Sequence, residues 1–270
     1  MRRALIIGAA GRMGQALVRA ARDRADVRIS AAVAAEDSPL LGRDIGELAG
    51  IGALGVPLVA DLSGALTECD VAMDFSHPAA TAANLAACCA SGKPLLIGTT
   101  ALAPSLRHEL ERAAKHIALL VAPNTSLGVT LLLELVRQCA AVLPLDFDAE
   151  ILESHHRQKR DSPSGTALAL GHAVADARGL ELEHVGVRSR AGSDTPRREG
   201  EIGFAVLRGG DAVGEHTVIF AGSGEQLALT HRATDRAIFA RGALDAATWL
   251  AGRPPGRYGM RDIVLRNSGL

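Results

Sequence analysis

The sequence contains few aromatic residues, few lysines and almost no net charge. Aromatic residues make up 3% of the chain, and 29 Lys and Arg face 30 Asp and Glu, for a net charge of -1. This balance lacks the basic surface that nucleic acid or an anionic membrane attracts, so we expect neither as a partner. Only three of the cations are lysines, which makes each worth inspecting: Lys93, Lys115 and Lys159.

Cysteine motifs and long apolar runs are also missing. The four cysteines show no CxxC spacing, which argues against a disulfide framework and suits a reducing cytoplasm. The stretch Ile117–Leu133 is uncharged but is interrupted by Pro123 and Gly128, so it does not predict a spanning helix. The apolar run Ala4–Ala10 is too short for a signal peptide. These features predict a cytoplasmic protein.

The 270 residues, 48% hydrophobic and 22% charged, fit one large globular domain or two of ordinary size. In the first half, short apolar runs alternate with helical stretches, which indicates a parallel α/β sheet with helices on both faces. The predicted strands are Ala4–Ile7, Val27–Ala34, Val56–Val59, Val71–Phe75, Pro94–Ile97 and Ala118–Val121, and the helices are Met13–Arg24, Ala79–Ser91 and Ser105–His116.

The rhythm changes after Asn124. A helix, a strand and a helix lead to the polar, Arg-rich stretch Arg188–Glu201, and three strand-like segments and a last helix follow. This order predicts a second, α+β domain with a mixed or antiparallel sheet. The predicted elements are helix Val129–Val142, strand Phe147–Ser154, helix Gly165–Arg178, strands Ile202–Leu207, Val213–Ala221 and Gln226–His231, and helix Arg236–Leu250.

A glycine-rich turn, Gly8-Ala9-Ala10-Gly11-Arg12-Met13-Gly14, follows the first strand and opens the first helix. Glycines allow a tight turn and close backbone approach, and a helix start offers free N–H groups to a pyrophosphate. The GxxGxxG spacing in this context predicts dinucleotide binding. Glu36 and Asp37 after the second strand either bind the adenosine ribose or begin a solvated loop.

Two further segments follow predicted parallel strands, where ligands bind in open α/β sheets. They are Gly98-Thr99-Thr100 and Ala122-Pro123-Asn124-Thr125-Ser126. Their small and hydroxyl side chains would leave room for a nicotinamide. Ordinary turn chemistry explains them equally well.

The segment Glu153–Thr166 concentrates five potential cations within six residues, next to a Ser/Gly/Thr helix start. Such a segment suits a carboxylate-bearing substrate, with Lys159 as the charge and a histidine as the proton donor. A solvated basic loop is the alternative. We expect no metal, because adjacent strand residues His155 and His156 face opposite ways. His77 is a candidate for the cofactor cleft, and His216 and His231 are interpreted as sheet-face residues.

In this order, the motifs resemble those of the dihydrodipicolinate reductase family of lysine and diaminopimelate synthesis. The resemblance covers nearly the whole chain, and the segment His155–Thr166 is its most specific part. It also includes Leu41-Gly42, Asp74-Phe75-Ser76, Ile202-Gly203-Phe204, Gly214-Glu215-His216-Thr217 and Met260-Arg261-Asp262.

The resemblance implies hydride transfer from NADH or NADPH to a cyclic imine dicarboxylate, and a homotetramer built through the second domain's sheet. It implies a catalytic general acid at His155 and a proton-donating, substrate-binding lysine at Lys159. It further implies substrate binding at His156, Gly165 and Thr166, and cofactor binding at Gly8, Ala9, Ala10, Gly11, Arg12, Met13, Gly98, Thr99, Thr100, Ala122, Pro123, Asn124 and Thr125.

The implied organisation is a Rossmann-like dinucleotide-binding domain over residues 1–126, a substrate-binding and oligomerisation domain over 127–235, and a segment 236–270 that returns to the first domain. The family commonly has an acidic residue followed by Arg at the end of strand two, where this chain has Ala34 and Ala35. The choice between NADH and NADPH therefore stays open. The rival functions are another NAD(P)-dependent reductase of similar build and a non-enzymatic dinucleotide sensor.

Overall fold

The computed structural model describes residues 1–266 and divides them into two compact units. The first comprises Met1–Leu127 with the described residues from Ala237 onward, and the second comprises Gly128–Arg236. Residues 267–270, the end of the predicted segment 236–270, lie outside the described residues.

A 3₁₀ turn at Pro78–Ala80 precedes α4. In chain order, the other elements are β1 (Arg2–Ile7), α1 (Arg12–Ala21), β2 (Val27–Val33), α2 (Ile45–Leu48), β3 (Leu58–Val59), α3 (Leu62–Thr67), β4 (Val71–Asp74), α4 (Thr81–Ala90), β5 (Leu95–Ile97), α5 (Leu106–Ala113), β6 (Ala118–Val121), α6 (Leu127–Val142), β7 (Asp148–His155), α7 (Gly165–Ala177), α8 (Leu182–Val185), β8 (Gly186–Val187), β9 (Ile202–Arg208), β10 (Gly214–Gly222), β11 (Glu225–Ala233), α9 (Ala237–Leu250), β12 (Gly256–Tyr258) and α10 (Met260–Val264).

The first unit is built on a seven-stranded sheet with the order β12-β6-β5-β4-β1-β2-β3. Neighbouring strands are parallel throughout this sheet. After β1 the chain winds outward through β2 and β3, then returns to β4 on the other side of β1. This reversal is the doubly wound arrangement, and it opens a crevice at the carboxyl ends of β1 and β4.

Both faces of this sheet are buried, as the apolar strand sequences predict. In β1, Ala4 and Ile6 enter the core on one face, and Leu5 and Ile7 enter the core on the other. The first core also contains buried residues of α1 and α9, and the second contains buried residues of α4 and α5. The predicted Rossmann-like fold class is confirmed.

The second unit contains a five-stranded mixed sheet with the order β11-β10-β7-β9-β8. β7 runs parallel to β9 and antiparallel to β10, which itself pairs antiparallel with β11. Residues from α6, α7 and one face of the sheet form a single core that includes Val136, Leu170, Ile151 and Phe220. The mixed sheet of the second unit is therefore confirmed as predicted.

The structure corrects the predicted element list in detail. Helix α1 ends at Ala21 rather than Arg24, and α5 covers Leu106–Ala113 rather than Ser105–His116. Six short elements were not predicted: α2, α3, α8, β8, β12 and α10. Within residues 1–266, no helix combines the length and apolar character needed to cross a bilayer.

Candidate active site

The turn from β1 into α1 has the shape that a dinucleotide pyrophosphate requires. Gly8 has a φ of +85°, and a Cβ there would lie 2.6 Å from the carbonyl oxygen of Phe75, which follows β4. A Cβ on Gly14 would lie 2.5 Å from the Cα of Ala9, so only glycine lets α1 approach the turn this closely. Gly11 is the N-cap and adds no side-chain cap, which leaves the first helical N–H groups available to an anion.

The other predicted cofactor residues lie at the carboxyl ends of neighbouring strands. Gly98–Thr100 follows β5, and Ala122–Thr125 follows β6, beside which β5 runs parallel. The hydroxyl of Thr125 donates a 2.6 Å hydrogen bond to the carbonyl oxygen of Phe239 in α9. The first unit thus brings its predicted cofactor residues to one edge of the sheet, where ligands of doubly wound folds bind.

The buried Asp74 at the end of β4 connects the loop after β4 to the loop after β5. Its Oδ1 accepts hydrogen bonds from the backbone N–H of Ser76 at 2.9 Å and from the Ser76 hydroxyl at 2.6 Å. The same Oδ1 accepts from Thr99 Oγ1 at 3.2 Å, and Oδ2 accepts from Asn84 Nδ2 at 3.1 Å. The loops after β4 and β5 are therefore fixed to each other.

Glu36 and Asp37 lie in an exposed turn that begins two residues beyond Ala34, the first residue after β2. The Ala34 N–H donates to the Val59 carbonyl, so the backbone at the end of β2 is held by β3. Both interpretations of the acidic pair, ribose binding or a solvated loop, fit this position. Nδ1 of His77 accepts a 3.3 Å hydrogen bond from the Ala79 N–H, which caps the 3₁₀ turn after β4.

In the second unit, β7 places Glu153 and His155 two residues apart and therefore on the same face of the sheet. Both are buried, at 3% and 7% exposure. Nδ1 of His155 lies 2.6 Å from Oε2 of Glu153. A cation on the imidazole would therefore be in contact with a carboxylate.

The other carboxylate oxygen of Glu153 has two donors. The backbone N–H of Ser164 donates to Oε1 at 2.8 Å, and Nη2 of Arg208 donates to it at 3.0 Å. The same guanidinium nitrogen also donates to the carbonyl oxygen of Asp161 at 2.7 Å. Arg208 thus connects the carboxylate to the loop that follows β7.

Ser164 is the N-cap of α7, and its Oγ accepts a 3.2 Å hydrogen bond from the Ala167 N–H. The same hydroxyl lies 3.0 Å from Nε2 of His216. The His216 ring packs edge-to-face on the His155 ring, with centroids 5.0 Å apart and planes at 72°. One cluster therefore joins the end of β7, a buried residue of β10 and the start of α7.

Lys159, the predicted substrate cation, lies in the loop between β7 and α7. Its Nζ is 2.9 Å from each oxygen of the Asp161 carboxylate. Gly165 is exposed at the first position of α7, and Thr166 follows it, half-buried. His156 is half-buried beyond the end of β7, with its backbone N–H bonded to the Ala212 carbonyl.

Burial and charge act in opposite directions on this cluster. Burial lowers the pKa of His155 below its usual value, while the Glu153 carboxylate opposes that fall. Burial and the neighbouring His155 lower the pKa of His216 to about 4, so His216 is neutral near pH 7. Burial would raise the pKa of Glu153, but hydrogen bonds from Arg208 and Ser164 outweigh it and the pKa is lowered.

Glu153, His155 and His216 together offer three potential metal-ligand atoms within 4.8 Å of one another. Two ligands of one tetrahedral zinc, each at about 2.0–2.2 Å, stand roughly 3.3 Å apart, which is well beyond the 2.6 Å between Oε2 and Nδ1. The Arg208 guanidinium already neutralises the carboxylate. We therefore interpret the cluster as a proton-handling group, and the absence of a metal stays a prediction.

The sequence did not single out His216 or Arg208 as members of this site. His216 does lie on a sheet face, as expected, but that face carries the cluster. Antiparallel pairing places His216 opposite Glu153, and parallel pairing places Arg208 opposite His155. In β10, His216 alternates in phase with buried Val218 and Phe220, and a polar residue on such a face is a signal that it has a partner.

Comparison with known proteins agrees with this architecture. The family model "Dihydrodipicolinate reductase, N-terminus" matches residues 2–125, and "Dihydrodipicolinate reductase, C-terminus" matches residues 128–264. A 4-hydroxy-tetrahydrodipicolinate reductase of Acinetobacter baumannii (strain AYE) is 46% identical over 262 residues, covering 97% of this chain and 96% of the relative.

Solved structures with low sequence identity share the fold. Dipicolinate-bound dihydrodipicolinate reductase from Paenisporosarcina sp. TG-14 has a TM-score of 0.77 at 22% identity, covering 96% of this chain and 97% of that chain. Amine dehydrogenase from Mycobacterium smegmatis has a TM-score of 0.60 at 16% identity, covering 96% and 95%. The two family models and the 46% identical relative show that this chain belongs to the dihydrodipicolinate reductase family.

Proposed function

We propose that this chain reduces 4-hydroxy-tetrahydrodipicolinate with NADH or NADPH, the step of lysine and diaminopimelate synthesis that its family performs. The observation that carries the proposal is the buried cluster around His155, beside an N-terminal helix turn and a lysine. A protein that only senses a dinucleotide has no need of this cluster. The proposed substrate is a small dicarboxylate.

The first unit is proposed to hold the cofactor. Gly8 and Gly14 let the backbone approach the pyrophosphate, and the uncapped start of α1 supplies N–H donors. Gly98–Thr100 and Ala122–Thr125 are proposed to bind the nicotinamide end, because they follow the parallel strands β5 and β6 at the carboxyl edge of the sheet. When bound, the cofactor supplies the hydride.

The second unit is proposed to hold the substrate. Lys159 is proposed to supply a compact positive charge, and the backbone at Gly165 and Thr166 to contact a carboxylate at the start of α7, in place of the Asp161 carboxylate that Lys159 contacts in the structure. His156 is proposed as a further contact. A carboxylate enclosed without such partners would be costly, so these residues also determine which ligands are accepted.

The proposed substrate loses its 4-hydroxyl as water to give the conjugated cyclic imine. His155 is proposed as the general acid that protonates the enamine left when that imine accepts the hydride. Its Nδ1 faces Glu153, which leaves Nε2 as the nitrogen that can release a proton to a ligand. A Cβ on residue 214 would lie 2.8 Å from Nε2, so Gly214 keeps space beside that atom. Lys159 is proposed as a second proton source in the transition state.

The protein is proposed to discriminate only weakly between NADH and NADPH, or to prefer NADH. Ala34 and Ala35 provide no charge at the end of β2. The exposed Arg12 at the start of α1 is the proposed contact for a 2′-phosphate.

We also propose that the protein is a cytoplasmic homotetramer. The outer face of the second sheet has a shallow groove lined by Leu152, Ala205, Leu207 and Thr217, and Leu207 is 64% exposed. An apolar sheet face of this kind supports pairing with another copy. All four cysteines are free thiols, which supports a reducing compartment. Light scattering on the purified protein tests this assembly, and a monomer would contradict it.

The proposed activity is tested by supplying substrate from the condensation of pyruvate with aspartate semialdehyde by a separate synthase. We expect NADH or NADPH to be oxidised only when the synthase product is present. Folded protein that binds the nucleotide without oxidising it would support the sensor instead. Oxidation driven by an unrelated carbonyl compound would support another reductase.

A further inference from the structure

The family resemblance assigns no role to Glu153, yet its carboxylate is among the most buried charges of the second unit. Its side chain is 1% exposed. A buried carboxylate is costly unless it is paired and hydrogen-bonded, so a residue held at such a place usually has a partner that needs it.

The two oxygens of this carboxylate are used differently. Oε1 accepts from the Ser164 N–H and from Arg208 Nη2, and these two donors come from the N-cap of α7 and from β9. Oε2 of Glu153 and Nδ1 of His155 have no aligned hydrogen-bond partner among the described residues, and they face each other at 2.6 Å. One oxygen is therefore anchored to the scaffold, and the other faces the His155 imidazole, with Nε2 of His216 farther away at 4.0 Å.

The charges that face His155 come from every element packed against it. Glu153 on β7 is the anion in contact with the ring, Arg208 on β9 and Lys159 in the loop after β7 are cations, and His216 on β10 is neutral near pH 7. Asp161 is a further anion, but it is paired with Lys159. Without Glu153, the imidazole would face only cations and a neutral ring.

We propose that Glu153 is a positioning residue, which holds His155 through Nδ1, favours the protonated form of its imidazole against the effect of burial, and so presents Nε2 as the acid. The inference rests on the proposed function only where it makes His155 the acid. The contact between the two side chains does not depend on that function. Because Arg208 and Ser164 fix Glu153, the position of the imidazole also depends on the start of α7, where the substrate is proposed to bind.

The direction of the electrostatic effect follows from the surroundings. Burial lowers the pKa of His155, and Glu153 is the neighbour that raises it. An opposite charge in contact shifts a pKa by about 1–3 units. Glu153→Gln keeps an acceptor for Arg208 and Ser164 but removes the charge, so the pKa of His155 should fall by about one unit or more.

The test is an NMR titration of the His155 ring in the full chain without substrate, for wild type, Glu153→Gln and Glu153→Asp. Glu183→Gln is the matched control, because this exposed residue of α8 undergoes the same change in the same unit. We expect the His155 titration to move down in Glu153→Gln, to move less in Glu153→Asp, and to stay unchanged in Glu183→Gln. An unmoved titration in Glu153→Gln would overturn the proposal.

Kinetics provide a second readout. Activity requires the protonated acid, so kcat/KM falls as pH rises through the pKa of His155. In Glu153→Gln this fall should begin about one unit lower, which is about tenfold in the protonated fraction at higher pH. The Kd for NADH should be unchanged, and Glu153→Asp should restore part of the wild-type profile. A uniform loss of activity with an unshifted profile would indicate a merely structural role.

The experiment still tests the proposal if one of the variants does not fold. If Glu153→Gln does not fold, the shorter Asp side chain withdraws the carboxylate but keeps the charge, and an unmoved His155 titration there would overturn the proposal. If wild type itself shows no reductase activity, the proposed function fails, while the titration without substrate still decides whether Glu153 controls His155.

Discussion

Replacing His155 by Gln separates proton donation from every other role of this side chain. The imidazole is 7% exposed, and its Nδ1 lies 2.6 Å from Oε2 of Glu153. A glutamine amide can still donate an N–H to that oxygen, but it has no proton that titrates near neutral pH. The cluster of Glu153 with Arg208 and Ser164 has no reason to change.

The expected loss is large and confined to turnover. A positioned general acid contributes about 10²–10⁴ in rate, which is about 2.7–5.4 kcal/mol of transition-state stabilisation. The free energy of unfolding should change by about 1 kcal/mol or less, because Glu153 keeps a donor. His155→Ala removes that donor, so it should cost a further 1–3 kcal/mol, roughly, of stability.

The assay measures kcat, KM, the Kd for NADH and the pH dependence of kcat/KM for wild type and His155→Gln. Wild-type kcat/KM should fall as pH rises through a pKa below the usual value for histidine, because burial disfavours the cation. The variant should lose this pH dependence and keep its affinity for NADH. Turnover within a few-fold of wild type, with the same pH profile, would refute His155 as the acid.

Three further substitutions test the proposed substrate and cofactor contacts. Lys159→Ala should raise KM and lower kcat together. Lys159→Arg should keep only part of the wild-type activity, because a planar guanidinium differs in geometry from an ammonium. Full activity of Lys159→Arg in steady-state kinetics would show that charge alone suffices. Gly14→Ala should cost about 1–2 kcal/mol of stability and weaken NADH binding about tenfold, because the overpacking against the Ala9 backbone outweighs the gain in helix propensity. Thermal melts measure the stability and calorimetry measures the affinity. An unchanged affinity for NADH would contradict this prediction. Arg12→Ala should weaken NADPH more than NADH in the same calorimetry, and a large NADPH preference that survives it would contradict the proposed 2′-phosphate contact.

The larger features of the fold were predictable because they depend on local pattern. The uninterrupted apolar run in β1 predicts a strand that is buried on both faces, and the structure has such a strand. The glycines of Gly8–Gly14 predict a tight turn, because only glycine fits the close backbone approaches there. Strand β12 was missed because three residues, Gly256–Tyr258, are too few for a periodic signal. Its place at the sheet edge is set by parallel pairing with β6, which is distant in sequence.

The candidate site was predictable only in its contiguous part. His155 and Lys159 lie in one segment with Gly165 and Thr166, so the cluster of cations beside a helix start indicated the segment, and the family resemblance implied the role of each residue. His216 joins this segment through strand pairing, and it is 52 residues from Ser164, its hydrogen-bond partner. A single sequence contains no signal for that register, although the alternation of β10 does place His216 on the buried face.

The most direct test of the central claim follows the hydrogen atoms into the product. Wild-type protein is given the synthase product and a nicotinamide cofactor deuterated at its transferable position, in ordinary water, and the product is analysed by mass spectrometry. The account predicts tetrahydrodipicolinate with one deuterium from the cofactor, formed at a rate that His155→Gln reduces by about 10²-fold or more. Cofactor oxidation without a deuterated dicarboxylate product, in protein that is folded and binds the nucleotide, would contradict it.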